Sequence, residues 1–87
     1  MVWQLKISPS ALKTLDWIKK REPALFPRVA GVLDELRMNP FQGKALKGEF
    51  VGRYSYRVGS YRVIYKMFKG ELLIYVIDIG HRRDIYR

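Results

Sequence analysis

The chain has 87 residues, 48% of them hydrophobic, and its 17 Lys and Arg against 8 Asp and Glu give a formal net charge of +9 at pH 7. This length and composition predict a single folded domain over residues 1–87 and exclude a disordered chain and a membrane span, which needs about 18 to 20 consecutive apolar residues. The absence of cysteine excludes disulfides, fits a cytoplasmic protein and, with one histidine, argues against a zinc or soft-metal site.

The first half of the chain predicts a strand followed by two helices. Residues 1–7 alternate, which places Trp3, Leu5 and Ile7 on the inner face of a short strand. Ser8 and Pro9 suit the cap and first position of a helix. The apolar positions of that helix are Ala11, Leu12, Leu15 and Ile18. A second helix runs from about residue 24 or 27 to residue 37, and both apolar stripes need a sheet to cover.

The second half predicts a hairpin after a glycine-containing loop over residues 41–52. Aromatic and β-branched residues alternate with polar ones on both sides of Gly59-Ser60, which suits a two-residue type II′ turn. In that register Arg57 lies directly opposite Arg62 on one face. The other face is predicted to pack in the core and carries Tyr56, Val63 and Tyr65.

The last strand, residues 72–79, is an almost unbroken apolar run and is therefore predicted to lie centrally in the sheet. The N-terminal strand completes the sheet. The predicted fold is α+β, with two N-terminal helices packed on a mainly antiparallel four-stranded sheet in the order β-α-α-β-β-β. The chain after Gly80 brings His81, Arg82, Arg83 and Tyr86 to one end of that sheet, where we expect a concave basic surface shared with Arg57 and Arg62.

The positive charge is concentrated near this surface. Residues 44–87 hold ten basic and four acidic side chains, against seven and four in residues 1–43. Because the cations lie among aromatic residues, this pattern favours nucleic acid or an acidic partner over a surface kept basic for solubility. Arginine matches phosphate oxygens through paired hydrogen bonds.

Metal-free cleavage of RNA is one chemistry that these residues could perform. The RNA 2′-hydroxyl attacks the phosphate, so the protein needs proton-transfer groups and cations that steady the developing charge. Arginine supplies the cations but no base. His81 could transfer either proton, and Tyr86 could serve as a base or stack on a nucleobase. No motif for a nucleotide cofactor is present.

Three segments resemble the RelE/ParE toxin superfamily, on its RelE side. These are Leu46-Lys47-Gly48, the hairpin block from Tyr56 to Tyr65, and Ile79-Gly80-His81-Arg82-Arg83-Asp84-Ile85-Tyr86. The resemblance implies the toxin of a type II toxin–antitoxin pair that cleaves mRNA in the ribosomal A site without metal or cofactor. It also implies a cognate acidic, RelB-like antitoxin as partner.

The resemblance further implies roles for single residues. Arg62 and Arg82 would steady the phosphate, and Tyr86 and His81 would share proton transfer and base stacking. RNA binding would fall to Lys47, Arg53, Arg57 and Arg83. This chain departs from the family where Ser55 replaces a lysine of RelE and where the segment from Gly80 to Tyr86 is shorter.

Two alternatives remain open at the level of sequence. The ParE branch has the same fold and poisons DNA gyrase without RNase activity. The other alternative is a module that binds RNA or a partner without cleaving RNA. The joint presence of Arg62, His81, Arg82 and Tyr86 favours the ribonuclease.

Overall fold

The computed structural model describes residues 2–81. This part of the chain contains two helices, α1 (Pro9–Arg21) and α2 (Phe26–Met38). Its five strands are β1 (Gln4–Ile7), β2 (Lys44–Ala45), β3 (Tyr54–Val58), β4 (Tyr61–Phe68) and β5 (Leu73–His81). Three single-turn 3-10 helices, Pro40–Gln42, Gly48–Phe50 and Lys69–Glu71, lie in the connections.

The strands form one sheet in the order β1-β5-β4-β3-β2, with β1 parallel to β5 and the other pairs antiparallel. The predicted α+β fold and its element order are confirmed. Within residues 2–81, however, the sheet has five strands rather than four. The additional strand β2 lies in the predicted loop, where Lys44 pairs with Ser55 and Ala45 with Tyr54. Two residues are too few to produce a strand-like alternation in the sequence.

One face of the sheet packs against both helices. A single cluster of buried side chains joins the two layers and includes Ala11, Ile18, Val29, Leu33, Leu36, Val58, Tyr61, Val63, Tyr65, Ile74, Val76 and Ile79. Leu12, which we expected in the apolar stripe of α1, is 53% exposed. The stripe is therefore narrower than predicted, and β5 provides much of the surface on which it packs.

The start of α1 is fixed to the sheet by Ser8. Its side-chain oxygen accepts a hydrogen bond from the Ala11 N–H (3.1 Å) and donates to the Ile77 carbonyl (2.6 Å). The first bond satisfies one of the unpaired N–H groups at the helix start, as the sequence predicted. The second ties that helix end to β5.

The hairpin of β3 and β4 has the predicted register. The pairs are Val58 with Tyr61, Arg57 with Arg62, Tyr56 with Val63, and Tyr54 with Tyr65. Gly59 has a φ of +58°, whereas the only non-glycine residue with positive φ in the described chain is Leu72, so Ser60 has an ordinary φ. A positive φ at the first central residue alone is the pattern of a type II′ turn.

The ladder between β4 and β5 contains one bulge. Tyr65 pairs with Val76, but the preceding residue Ile64 pairs with Asp78, so Ile77 is an extra residue on β5. Side chains alternate along a strand, and one extra residue therefore reverses the face to which every later side chain of β5 points.

Tyr65 anchors the segment between α2 and β3 to the sheet. Its buried hydroxyl donates a hydrogen bond to the Pro40 carbonyl (2.7 Å) and accepts one from the Gly43 N–H (3.0 Å). A Cβ atom at Gly43 would collide with this hydroxyl, which explains the glycine. Burial raises the pKa of Tyr65 to about 12, although the hydrogen bond from Gly43 opposes that shift.

Candidate functional site

The side chains that alternate with the core positions form the second face of the sheet, which we call the open face. None of them belongs to the cluster that packs on the helices. By strand register, its members on β2, β3 and β4 are Lys44, Ser55, Arg57, Arg62, Ile64, Lys66 and Phe68. Four of these seven side chains carry a positive charge, so the part of the open face on these three strands is mainly cationic.

Arg57 and Arg62 lie directly opposite each other on the open face. Arg57 is exposed, and Arg62 is half-buried with its Nε atom inaccessible to solvent. Two like charges in such a pair destabilise a sheet by up to about 1 kcal/mol. An anion bound between the two guanidinium groups would convert this repulsion into attraction.

The guanidinium of Arg62 is held by a hydroxyl group. Arg62 Nη1 donates a hydrogen bond to Ser55 Oγ at 3.2 Å, and Ser55 is only 4% exposed. Ser55 therefore points to the same face as the two arginines. Ser55 therefore provides a hydrogen-bond acceptor for Arg62 at the position where RelE has a lysine.

The residue next to Arg62 on the other neighbouring strand is a glycine. Arg62 pairs with Gly80 of β5, which has no side chain. The row across the sheet therefore reads Arg57, Arg62 and Gly80.

Two further predicted cations lie in the segment before β3. Lys47 is exposed and precedes the 3-10 turn Gly48–Phe50. Arg53 is half-buried, its guanidinium carbon lies 5.8 Å from the centre of the Phe50 ring, and its carbonyl accepts a hydrogen bond from the Leu46 N–H (2.9 Å). This last bond continues the β2–β3 ladder, so Arg53 is held at the same edge of the sheet as Lys44.

Lys44 and Lys66 also lie on the open face, in addition to the site residues that the sequence predicts. Lys66 follows Arg62 by four residues on β4, so the alternation already visible in the sequence could have identified it. Lys44 lies opposite Ser55 only because of β2. No periodic signal marks that strand.

The structure separates His81 from the arginine pair. His81 pairs with Tyr61, and their ring centres lie 5.7 Å apart in an edge-to-face arrangement. Tyr61 belongs to the core face, where its hydroxyl donates to Glu22 Oε2 at 2.7 Å. The expected concave surface shared by His81, Arg57 and Arg62 is therefore not formed within residues 2–81, because directly paired residues of an antiparallel ladder share a face.

Tyr61 is not suited to proton transfer at neutral pH. Burial, together with the hydrogen bond to Glu22 and the charge of that carboxylate, raises the pKa of Tyr61 to about 12. The phenol stays protonated and acts as a hydrogen-bond donor. It fixes the end of α1 to β4.

The remaining three predicted site residues, Arg82, Arg83 and Tyr86, lie outside the described residues. Within residues 2–81, no three His, Asp or Glu side chains lie close enough to hold a metal ion. No helix in the same range is long and apolar enough to cross a membrane.

Comparison with known proteins identifies the family. A family model described as the ParE toxin of the type II toxin–antitoxin system parDE matches residues 5–86. The chain belongs to this toxin family. The predicted membership of the RelE/ParE superfamily is thereby confirmed.

Similar proteins include toxins named after RelE. The toxin RelG of Mycobacterium tuberculosis strain H37Rv is 38% identical over 45 residues, and the match covers 52% of this toxin and 52% of RelG. The matched stretch therefore spans about half the length of that relative. A match of this length does not show that the two proteins share an activity.

Solved structures with the same fold cover almost the whole chain. The toxin–antitoxin complex RelBE2 of M. tuberculosis contains a chain that is 24% identical, with a TM-score of 0.81 and coverage of 97% of this chain and 95% of that one. The archaeal RelE–RelB complex from Pyrococcus horikoshii OT3 contains one that is 26% identical, with a TM-score of 0.76 and coverage of 97% and 99%. The first structure is a toxin–antitoxin complex, and the second is a complex of RelE with RelB.

Proposed function

We propose that this toxin, as a single domain over residues 1–87, cleaves mRNA on the ribosome in the cytoplasm without a metal ion. The observation that carries the proposal is the pairing of Arg57 with Arg62 on the open face, with the Arg62 guanidinium held by Ser55. That arrangement suits a phosphodiester, whose charge increases as the 2′-hydroxyl attacks the phosphorus atom.

The proposed roles follow from charge and proton-transfer chemistry. Arg62 and Arg82 steady the charge that develops on the phosphate, while Lys47, Arg53, Arg57 and Arg83 bind the RNA backbone. Lys44 joins this second group because it faces the same side of the sheet. Tyr86 is the base or stacks on the target nucleobase. His81 keeps a proposed part in stacking or proton transfer, but its pairing with Tyr61 argues for the lesser part.

An acidic antitoxin is the proposed inhibitor. Similar toxins have been solved in complex with antitoxins, and the formal charge of +9 on this chain favours a partner of opposite sign. Neutralising the open face by such a partner would also block access of RNA to Arg62.

The decisive experiment is primer extension on an mRNA that is being translated in a purified system, with and without the toxin. We expect discrete cleavage by the native chain and a loss of at least about 100-fold with Arg62→Ala, since it removes a cation from the developing charge. Arg21→Ala is the matched control, because it removes the same charge from the exposed last turn of α1. Full cleavage by Arg62→Ala would refute the assignment.

Inhibition of DNA gyrase is the second candidate function, and it is favoured by the ParE description of the matching family. A supercoiling assay separates the two functions. Inhibited gyrase together with uncut mRNA would establish the second and exclude the first.

A further inference from the structure

The buried polar residues of the sheet and its flanks point to one more functional position. In the described chain, the buried polar side chains are Ser8 and Ser55. Ser8 is accounted for by the cap of α1 and the bond to β5. Ser55 caps no helix, and its side-chain bond joins two strands that the backbone ladder already pairs. Its hydrogen bond goes to a side chain that carries a full positive charge.

The bond has a directional consequence for Arg62. A guanidinium group has five N–H donors in a rigid plane, so fixing one nitrogen restricts the direction of the others. Arg62 Nη1 is fixed by Ser55 Oγ at 3.2 Å, and the opposite neighbour is Arg57, whose charge repels it. Ser55 lies two residues before Arg57 on β3, so its bond fixes the direction of one edge of the Arg62 guanidinium on the face that Arg57 shares.

We propose that Ser55 is a positioning residue, which fixes the direction of the Arg62 guanidinium on the open face so that Arg62 and Arg57 can bind one phosphate. The proposal rests on the ribonuclease function argued above. Ser55 itself need not touch the substrate. Its effect on the reaction passes through Arg62.

Substitution of Ser55 by lysine distinguishes this proposal from a simple effect of charge. Lysine is a donor without an acceptor, so Ser55→Lys would remove the Arg62 bond and add a third repelling charge. If Ser55 merely represented a missing cation, lysine would raise activity. If Ser55 positions Arg62, lysine would lower it, although the net charge of the toxin increases.

The test measures single-turnover cleavage of translated mRNA, with the toxin in excess so that slow variants stay measurable. We expect Ser55→Ala to reduce the rate about tenfold, which is typical for the loss of a hydrogen bond to a charged group. Ser55→Thr, which retains the acceptor, should recover most of that loss, and Ser55→Lys should be slower than the native toxin. Ser60→Ala, in the exposed hairpin turn, is the matched control and should cleave normally.

A double-mutant comparison shows whether the effect passes through Arg62. Added to Arg62→Ala, Ser55→Ala should change the remaining rate by less than about twofold, because its partner is already gone. The proposal is overturned if Ser55→Ala cleaves like the native toxin, if it slows Arg62→Ala as much as it slows the native chain, or if Ser55→Lys is faster.

A separate measurement covers the case in which the native toxin cleaves no RNA. The side-chain N–H signals of Arg62 in an NMR spectrum report its hydrogen bond without any substrate. Faster exchange of those protons with water in Ser55→Ala than in Ser60→Ala would uphold the positioning of Arg62 even if the ribonuclease function fails. Equal exchange in the two variants would overturn it.

Discussion

The hydroxyl of Tyr65 offers the most direct test of how the cationic segment before β3 is held to the sheet. Tyr65→Phe removes one oxygen atom and leaves the ring in place. The Pro40 carbonyl and the Gly43 N–H then lose hydrogen bonds of 2.7 and 3.0 Å. Each bond contributes about 1 kcal/mol, and leaving a buried partner unsatisfied adds to the loss, so we expect a loss of about 2 to 3 kcal/mol in the free energy of unfolding.

The size of that loss makes it easy to measure. For a domain of this length, it corresponds to a fall in Tm of roughly 10 to 20 °C. Urea unfolding followed by circular dichroism gives the free energy, and a thermal scan gives Tm. Tyr54→Phe is the matched control, because Tyr54 stacks on Tyr65 with ring centres 5.7 Å apart and is only half-buried. It should change stability by less than about 0.5 kcal/mol.

The same substitution has a consequence for function. Lys44 and Lys47 follow Gly43 by one and four residues, so release of this segment should weaken RNA binding as well as stability. The reasoning would be refuted if Tyr65→Phe unfolded at the same urea concentration as Tyr54→Phe. That result would mean that water replaces both lost hydrogen bonds without cost.

Three other predictions follow from the two faces of the sheet. Arg57→Ala should weaken the binding of single-stranded RNA, measured by fluorescence anisotropy, and lower the salt dependence of that binding by about one ion. It should not reduce the free energy of unfolding, because it removes a like-charge pair. An unchanged salt dependence would contradict the role of Arg57 in RNA binding. His81→Gln should retain cleavage within about threefold and leave the pH–rate profile unaltered. A changed profile in this variant would show that His81 transfers a proton. Because the pKa values of Tyr61 and Tyr65 are raised to about 12 in the fold from 10.0, their contribution to stability is complete below pH 10 and is lost as the pH rises toward 12. Alkaline unfolding should therefore be shallower for Tyr61→Phe than for the native toxin, and identical curves would contradict the shift.

The hairpin shows how much the sequence can determine. Gly59 and Ser60 set a two-residue turn, and the period-two alternation on each side leaves one register that buries the apolar face. That register places Arg57 opposite Arg62, as predicted and as observed. The helices could also be predicted from the sequence, since Ser8-Pro9 marks the start of the first helix and Asn39-Pro40 marks the end of the second.

The position of His81 shows where such reasoning fails. Residues 72–79 are apolar at almost every position, so their pattern does not reveal which side chain points to which face. With an unbroken ladder from the Tyr65–Val76 pair, His81 would point to the open face. The extra residue Ile77 reverses that outcome and pairs His81 with Tyr61. A bulge in a uniformly apolar strand has no sequence signal, because either register buries hydrophobic side chains.

The same bulge also determines what lies beside Arg62. In the unbroken ladder Arg62 would pair with Ile79, and an isoleucine side chain would cover one flank of the guanidinium. The bulge instead brings Gly80 to that position and moves Ile79 into the core, where it is 1% exposed. One inserted residue thus buries an apolar side chain, removes a histidine from the open face and places a glycine beside Arg62. Because these three effects share one cause, a variant that deleted Ile77 would be expected to lose phosphate binding through Arg62 even if all the cations of the open face were retained.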